Sequence, residues 1–344
     1  MSEQHLLSPG PLLNEQGDLS EAGYAYSLVK SYDRQAISAS PLRIKEWDYY
    51  YVGNRDYGVA LTVADNGYMS MASISLLDFK KKQEKTLSKI GWFPKGKLHM
   101  PPTSKVGDIL FEGKGFSFSF SHAGEGKRRL LVHWADFMGK GLHFRCDILL
   151  QETSPNSMVI ATPFKKKAHF YYNQKINNLR ASGYAKVGET VYDFNQGSYG
   201  VLDWGRGVWT YKNTWYWGSL SAELDGVPFG WNFGYGFGDT SEASENMVFH
   251  GEKAYKLEDV IFDIPIGGGN RDDFMSPWTI RSHAHDMNIR FVPVIDRHAD
   301  TNLLVLRSNQ HQVFGRFSGY INIDEKPFEF VDLPGFAEKV FNKW

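Results

Sequence analysis

A single cysteine among 344 residues, Cys146, excludes an intrachain disulfide and any multi-cysteine metal site. It alternates with polar neighbours in Phe144-Arg145-Cys146-Asp147-Ile148 and is read as a small core residue. No apolar run approaches the roughly 20 residues a membrane-spanning helix requires. Neither charge is in surplus: 38 Lys and Arg face 39 Asp and Glu, a net charge of −1. That balance speaks against broad nucleic-acid binding, which needs a basic excess to neutralise phosphates. The lysine runs at 80–82 and 165–167 are read as solvated loops or strand ends. The start, Met1-Ser2-Glu3-Gln4-His5, lacks the basic and apolar regions of a signal peptide, so the expected location is the cytoplasm. No Walker loop, Rossmann fingerprint, Gly-x-Ser-x-Gly elbow or His-Glu-x-x-His is present.

Aromatic residues and glycine are abundant: 24 Phe, 18 Tyr, 10 Trp and 34 Gly. They suit pleated surfaces that turn back often. Asn66-Gly67 and Asp225-Gly226 each sit between strand-like runs and predict hairpins. Phe116-Ser117-Phe118-Ser119-Phe120-Ser121 alternates with a period of two. The two hairpins lie nearly half the chain apart, each preceded by aromatic residues, which suggests a duplication. Many short strands imply an all-β protein of antiparallel barrels or sandwiches. Residues 1–45 form an expected arm, with a short helix between Gly23 and Lys30. A second short helix is expected near Phe336 to Asn342. The two main units are expected at 46–165 and 166–344, the second carrying the site.

The densest polar and aromatic segment is Tyr199 to Trp209. Asp203 and Arg206 lie three residues apart among Trp204 and Trp209. A carboxyl in an apolar pocket is held protonated and can serve as an acid; beside Arg it stays ionised. Asp203 is thus the candidate acid and Arg206 its orienting partner, or the two are a structural ion pair with Trp in the core. Tyr199, Tyr211, Trp215 and Trp217 extend the candidate ligand wall. A second cluster adds Trp231, Asn232, Tyr235, Asp239, Glu245, Asn246 and His250. Two carboxylates facing one sugar would give glycosidase-like pairing, so a carbohydrate-active enzyme is a further reading. His283-Ala284-His285-Asp286 has the spacing of a metal pair on one strand face, but no third ligand is evident, so no metal is assigned.

Several stretches together resemble the bacterial domain-of-unknown-function (DUF) 2804 family along nearly the whole chain. They are Lys45-Glu46-Trp47-Asp48-Tyr49-Tyr50, Asp203 to Trp209, Trp231 to Asp239 with Glu245-Asn246, Val313 to Gly319, Gly335-Phe336-Ala337-Glu338 and the terminal Trp344. The family is distantly similar to double-calycin proteins, among them carotenoid 1,2-hydratase-like, tocopherol cyclase-like and Diels–Alderase-like enzymes. The resemblance implies two tandem lipocalin-like (calycin) antiparallel β-barrels, with a hydrophobic ligand cavity in one of them. It also implies an Asp acid on a Trp-Asp-containing strand, whose nearest counterpart is Asp203-Trp204. The expected function is binding of an apolar or amphipathic small molecule. Cofactor-independent acid chemistry on a lipid- or terpenoid-like substrate is one outcome; a non-catalytic carrier or sensor is the other.

Overall fold

The computed structural model describes residues 4–284, 286–303, 306–324 and 326–343. His285 of the expected metal pair and Trp344 lie outside them.

The arm is built from β1 (Gly10–Pro11), β2 (Gly23–Ala25) and β3 (Lys30–Ser31). The helix expected between Gly23 and Lys30 is therefore not formed: β1 and β3 pair in parallel, and β2 adds to a larger sheet. Between β3 and the first barrel lies one 3₁₀ turn, Arg34–Ala36, capped by the Asp33 carboxylate, which accepts from Gln35 N at 2.8 Å. No helix among the described residues is long and apolar enough to cross a membrane.

Twelve further strands join β2 in one sheet. They are β4 (Lys45–Gly53), β5 (Tyr57–Asp65), β6 (Met69–Asp78), β7 (Gln83–Trp92), β8 (Ile109–Gly113), β9 (Phe116–His122), β10 (Lys127–Trp134), β11 (Phe144–Gln151), β12 (Met158–Pro163), β13 (Phe170–Val187), β14 (Thr190–Phe194) and β15 (Tyr199–Val208). The order along this sheet is β7-β6-β5-β4-β15-β13-β11-β10-β9-β8. Nine strands make the second sheet: β16 (Lys212–Leu224), β17 (Val227–Tyr235), β18 (Met247–His250), β19 (Lys253–Lys256), β20 (Ile261–Asp263), β21 (Trp278–Arg281), β22 (Met287–Leu303), β23 (Leu306–Ile323) and β24 (Lys326–Lys343). Its order is β19-β18-β17-β16-β24-β23-β22-β21-β20. The helix expected near Phe336 to Asn342 is instead part of β24, which pairs on both sides.

The protein is thus all-β, two curled half-barrel sheets of double-calycin type. Both hairpins form where Asn-Gly and Asp-Gly predicted them. Asp225 and Gly226 adopt φ of 52° and 79°, as a two-residue primed turn demands. The passage between sheets lies at Trp209–Tyr211, later than the expected join at 165/166, because β13 and β15 return to pair beside β4.

Each sheet has its own apolar core. The first packs Tyr50, Phe118, Phe120, Phe144, Tyr172 and Trp204 among its core. The second packs Phe229, Trp231, Phe233, Trp278, Phe291 and Phe317. Cys146 is buried in the first core, its Sγ 3.9 Å from Leu130 O. The faces turned away from these cores meet each other through two further apolar clusters, one around Tyr51, Phe314 and Phe336, the other around Tyr171, Trp209 and Phe237. A bulge in β13 fastens the join: Asn177 Nδ2 donates to Ser219 Oγ (2.9 Å) and to Trp231 O (2.9 Å), and Asn178 N donates to Ser221 Oγ (3.0 Å).

Candidate functional site

Strand alternation decides which side chains reach the join. On β15, Leu202, Trp204 and Val208 point into the first core, and Arg206 shares their face. Asp203 points the other way, toward the second sheet. On β4, Trp47 and Tyr49 face the second sheet while Tyr50 and Val52 enter the core. On β13, Tyr171 and Lys175 face outward. Opposite them stand Trp215 and Trp217 of β16, Arg297 of β22, Gln312 of β23 and Glu338 of β24.

Between these walls lies a cavity of about 320 Å³. Such a volume suits a small molecule. This cavity belongs to both sheets rather than to one barrel alone; a second hollow, lined by Phe274, Asn309, His311 and Phe341 among others, lies on the inner face of the second sheet. The inner end of the inter-sheet cavity is aromatic. Trp47 stacks on Tyr171 with centroids 5.9 Å apart and meets Trp209 edge-on at 5.1 Å. Phe237 contacts Tyr171, Trp209 and Trp215 at 4.8, 5.3 and 5.1 Å. The outer end is polar, with Glu84, Thr86 and Ser88 of β7 on the rim.

Charged groups are set into this aromatic wall. The Asp203 carboxylate accepts from Asn173 Nδ2 (2.6 Å) and pairs with Lys175 Nζ (2.8 Å) through Oδ1, and accepts from Trp47 Nε1 (3.1 Å) through Oδ2. Lys175 Nζ also lies 3.9 Å above the Trp217 ring, a cation–π contact. Glu338 accepts from Trp215 Nε1 and Gln312 Nε2, each at 3.0 Å. Burial still pushes its carboxyl up from the usual range. Glu245, on the loop between β17 and β18, differs from both. It is buried, and among the described residues no donor reaches its carboxyl oxygens. Burial raises its pKa to about 7, against the pull of Lys175 and with the push of Asp203. Gly234 permits this placement, since a β-carbon there would stand 3.2 Å from Glu245 Oε2.

Arg206 takes no part in this arrangement. It is fully buried and donates to Asp48 Oδ1 (3.0 Å), Trp47 O (2.8 Å), Gly205 O (2.9 Å) and Pro101 O (2.9 Å). The expected Asp203–Arg206 pair fails because residues three apart on a strand face opposite sides. Of the other expected wall residues, Trp209, Trp215, Trp217 and Glu245 line the cavity. Trp204 and Trp231 lie in the two cores. Asn232 accepts from Trp217 Nε1 at 2.7 Å and so braces the wall from behind. Asn246 accepts from Gly234 N at 2.9 Å. Tyr199 donates to Glu223 (3.0 Å), Tyr235 stacks on Tyr216, and His250 packs on Phe328. Tyr211 and Asp239 are exposed. Trp47, Tyr49, Tyr171, Lys175, Phe237, Arg297, Gln312 and Glu338 were not among the expected residues. Trp47 and Tyr49 carried a readable sign, the period-two aromatics of Trp47-Asp48-Tyr49-Tyr50-Tyr51.

His283 pairs with Asp259 at 2.6 Å on the surface, and among the described residues no group of three or more His, Cys, Asp or Glu is placed to hold a metal ion.

The model of the family described as Domain of unknown function (DUF2804) matches residues 3–344. The chain belongs to this family. No curated protein matches the sequence. Solved structures of low identity share the fold of this DUF2804 protein. A candidate AttH from Nitrosomonas europaea is 12% identical, with a TM-score of 0.57, covering 90% of this chain and 97% of that one. Kievitone hydratase from Nectria haematococca is 12% identical, with a TM-score of 0.55 and coverage of 93% and 97%. CghA is 10% identical, with a TM-score of 0.56 and coverage of 98% and 97%.

One glycine of the DUF2804 chain holds the site's geometry directly. A β-carbon on Gly205 would lie 2.0 Å from the Trp47 ring. Gly205→Ala is expected to push that ring aside and break its bond to Asp203. The cost should be about 1–3 kcal/mol, read by urea denaturation, with a changed near-ultraviolet circular dichroism spectrum.

Proposed function

We propose that this protein binds a small amphipathic molecule in the inter-sheet cavity and protonates it from Glu245, in a cofactor-independent hydration, cyclisation or isomerisation. The observation that carries this reading is a buried carboxyl with no internal donor, half protonated near neutral pH, on the wall of an aromatic cavity. A general acid works best with its pKa near the operating pH. Protonation of an alkene carbon places positive charge on its neighbour. The faces of Trp47, Trp209, Trp215 and Trp217 suit such a charge. Water, an internal nucleophile or loss of an adjacent proton then completes the reaction, and Glu245 regains its proton.

Asp203 takes a different part from the one expected of it. Both of its oxygens already accept from neighbours in the wall. It positions Trp47 and Lys175 instead. The hydratase that shares this fold supports the reaction class.

Native mass spectrometry of protein purified from its own host should reveal a co-purifying amphipathic molecule. Glu245→Gln should retain that molecule and lose turnover about 10²–10⁴-fold, the usual worth of a general acid. Unchanged turnover in this variant would remove Glu245 as the acid. Binding with no conversion by either protein would leave a carrier.

A further inference from the structure

The strand that forms the open rim of the cavity also carries an exposed apolar edge. β7 is the last strand of its sheet. Glu84, Thr86 and Ser88 line the cavity, and the next two residues on that same face are Ile90 and Trp92. These are 54% and 65% exposed. Across the ladder Ile90 stands opposite Met71, itself a lining residue, and Trp92 opposite Met69. An apolar ramp therefore runs from the rim outward. Phe93, 57% exposed, extends it.

The backbone beneath these rings is fixed. Phe93 holds a φ of 56°, a costly conformation for a bulky residue. Phe93 N donates to Tyr68 O at 2.8 Å, Lys95 N to Gly67 O at 3.1 Å, and Gly96 N to Asp65 Oδ2 at 2.8 Å. The rings are thus presented to solvent by a tethered loop rather than folded back onto the protein.

Charge is concentrated on the same segment: Lys85 and Lys89 stand on the face of β7 opposite Ile90 and Trp92, and Lys95 and Lys97 follow Phe93 in the loop. Residues 80–97 contain seven lysines, all exposed, and one acidic residue, Glu84, in a chain of net charge −1. Lys80 and Lys81 pair with Asp56 and Asp78. The other five have no ion-pair partner among the described residues. Aromatic rings beside lysines match the boundary between lipid headgroups and acyl chains. Lysine clusters at such a boundary select anionic lipid.

We propose that this rim docks on an anionic lipid bilayer, with Ile90, Trp92 and Phe93 seated at the headgroup boundary and the cavity mouth opening toward the lipid. Docking delivers an amphipathic molecule along the ramp without passage through water. It stands whether or not Glu245 protonates the molecule.

Co-sedimentation with phosphatidylcholine vesicles, with and without phosphatidylserine, tests it. The protein should pellet with the phosphatidylserine vesicles at low salt and be released as salt rises. Trp92→Ala with Phe93→Ala should cut the bound fraction about tenfold, and Lys85→Glu with Lys97→Glu likewise, with melting temperatures unchanged. The proposal is overturned if the wild type stays in the supernatant, or if both double variants bind as it does. It is also overturned if ultracentrifugation shows a dimer that the aromatic variant dissociates, because a second copy then covers the edge.

Discussion

Arg206→Ala is expected to lower the free energy of unfolding by about 3–5 kcal/mol, the usual cost of stripping one partner from a buried ion pair. The guanidinium has no exposure at all; Nη1 and Nη2 donate to one carboxylate and three backbone carbonyls, while Nε has no partner among the described residues. It also lies 4.3 Å from the Trp204 ring centroid, so truncation removes packing as well as charge. Asp48 would be left buried beside empty space, its carboxyl already pushed upward by burial and held down chiefly by Arg206. Urea denaturation measures the loss. A double-mutant cycle locates the partner: Arg206→Ala should couple with Asp48→Asn by more than 1 kcal/mol and with Asp203→Asn hardly at all. Strong coupling to Asp203 would contradict the strand parity on which the site is built.

Glu245→Gln should make the protein more stable above neutral pH, an effect opposite in sign to most substitutions. The folded carboxyl has its pKa raised from 4.5 to about 7. Between those two values the folded state keeps a proton that the unfolded chain releases. Stability therefore falls as pH rises through this window and levels off above about 7. The shift corresponds to about 3 kcal/mol, lost by the wild type and kept by a neutral glutamine of the same shape. Urea midpoints of both proteins from pH 4 to pH 9 isolate the contribution, because other groups titrate in both. Parallel curves would show that Glu245 is not held protonated.

Local features were legible in the sequence wherever a period or a turn was self-contained. The two hairpins, the Phe116–Ser121 alternation and the core place of Cys146 needed only neighbouring residues. The arm and the β24 segment were misread as partly helical because their partners, β12 for one and β16 and β23 for the other, lie far along the chain. The same distance hid most of the site. Lys175 meets Asp203 only because β13 and β15 are neighbours, and Glu338 meets Trp215 only because β24 runs beside β16. Asp203, Trp209, Trp215, Trp217 and Glu245 were visible as residue types in a dense segment. Trp204 and Trp231 were equally conspicuous, yet a shift of one position on a strand sends them into the cores. The Asp203–Arg206 pairing failed on the same rule, which could have been applied from spacing alone.

β24 lies at the seam of the second sheet, between β16 and β23, and without it that sheet is two unconnected pieces. A chain emerging from the ribosome can complete every pairing of the first sheet once Val208 is free. The second sheet cannot join until β24 has been made, so one pairing edge of β16 and one of β23 stay open until then. A nascent chain stalled just short of Lys326 would therefore carry a completed first sheet beside two unjoined pieces with bare strand edges, the kind of edge that invites wrong pairing.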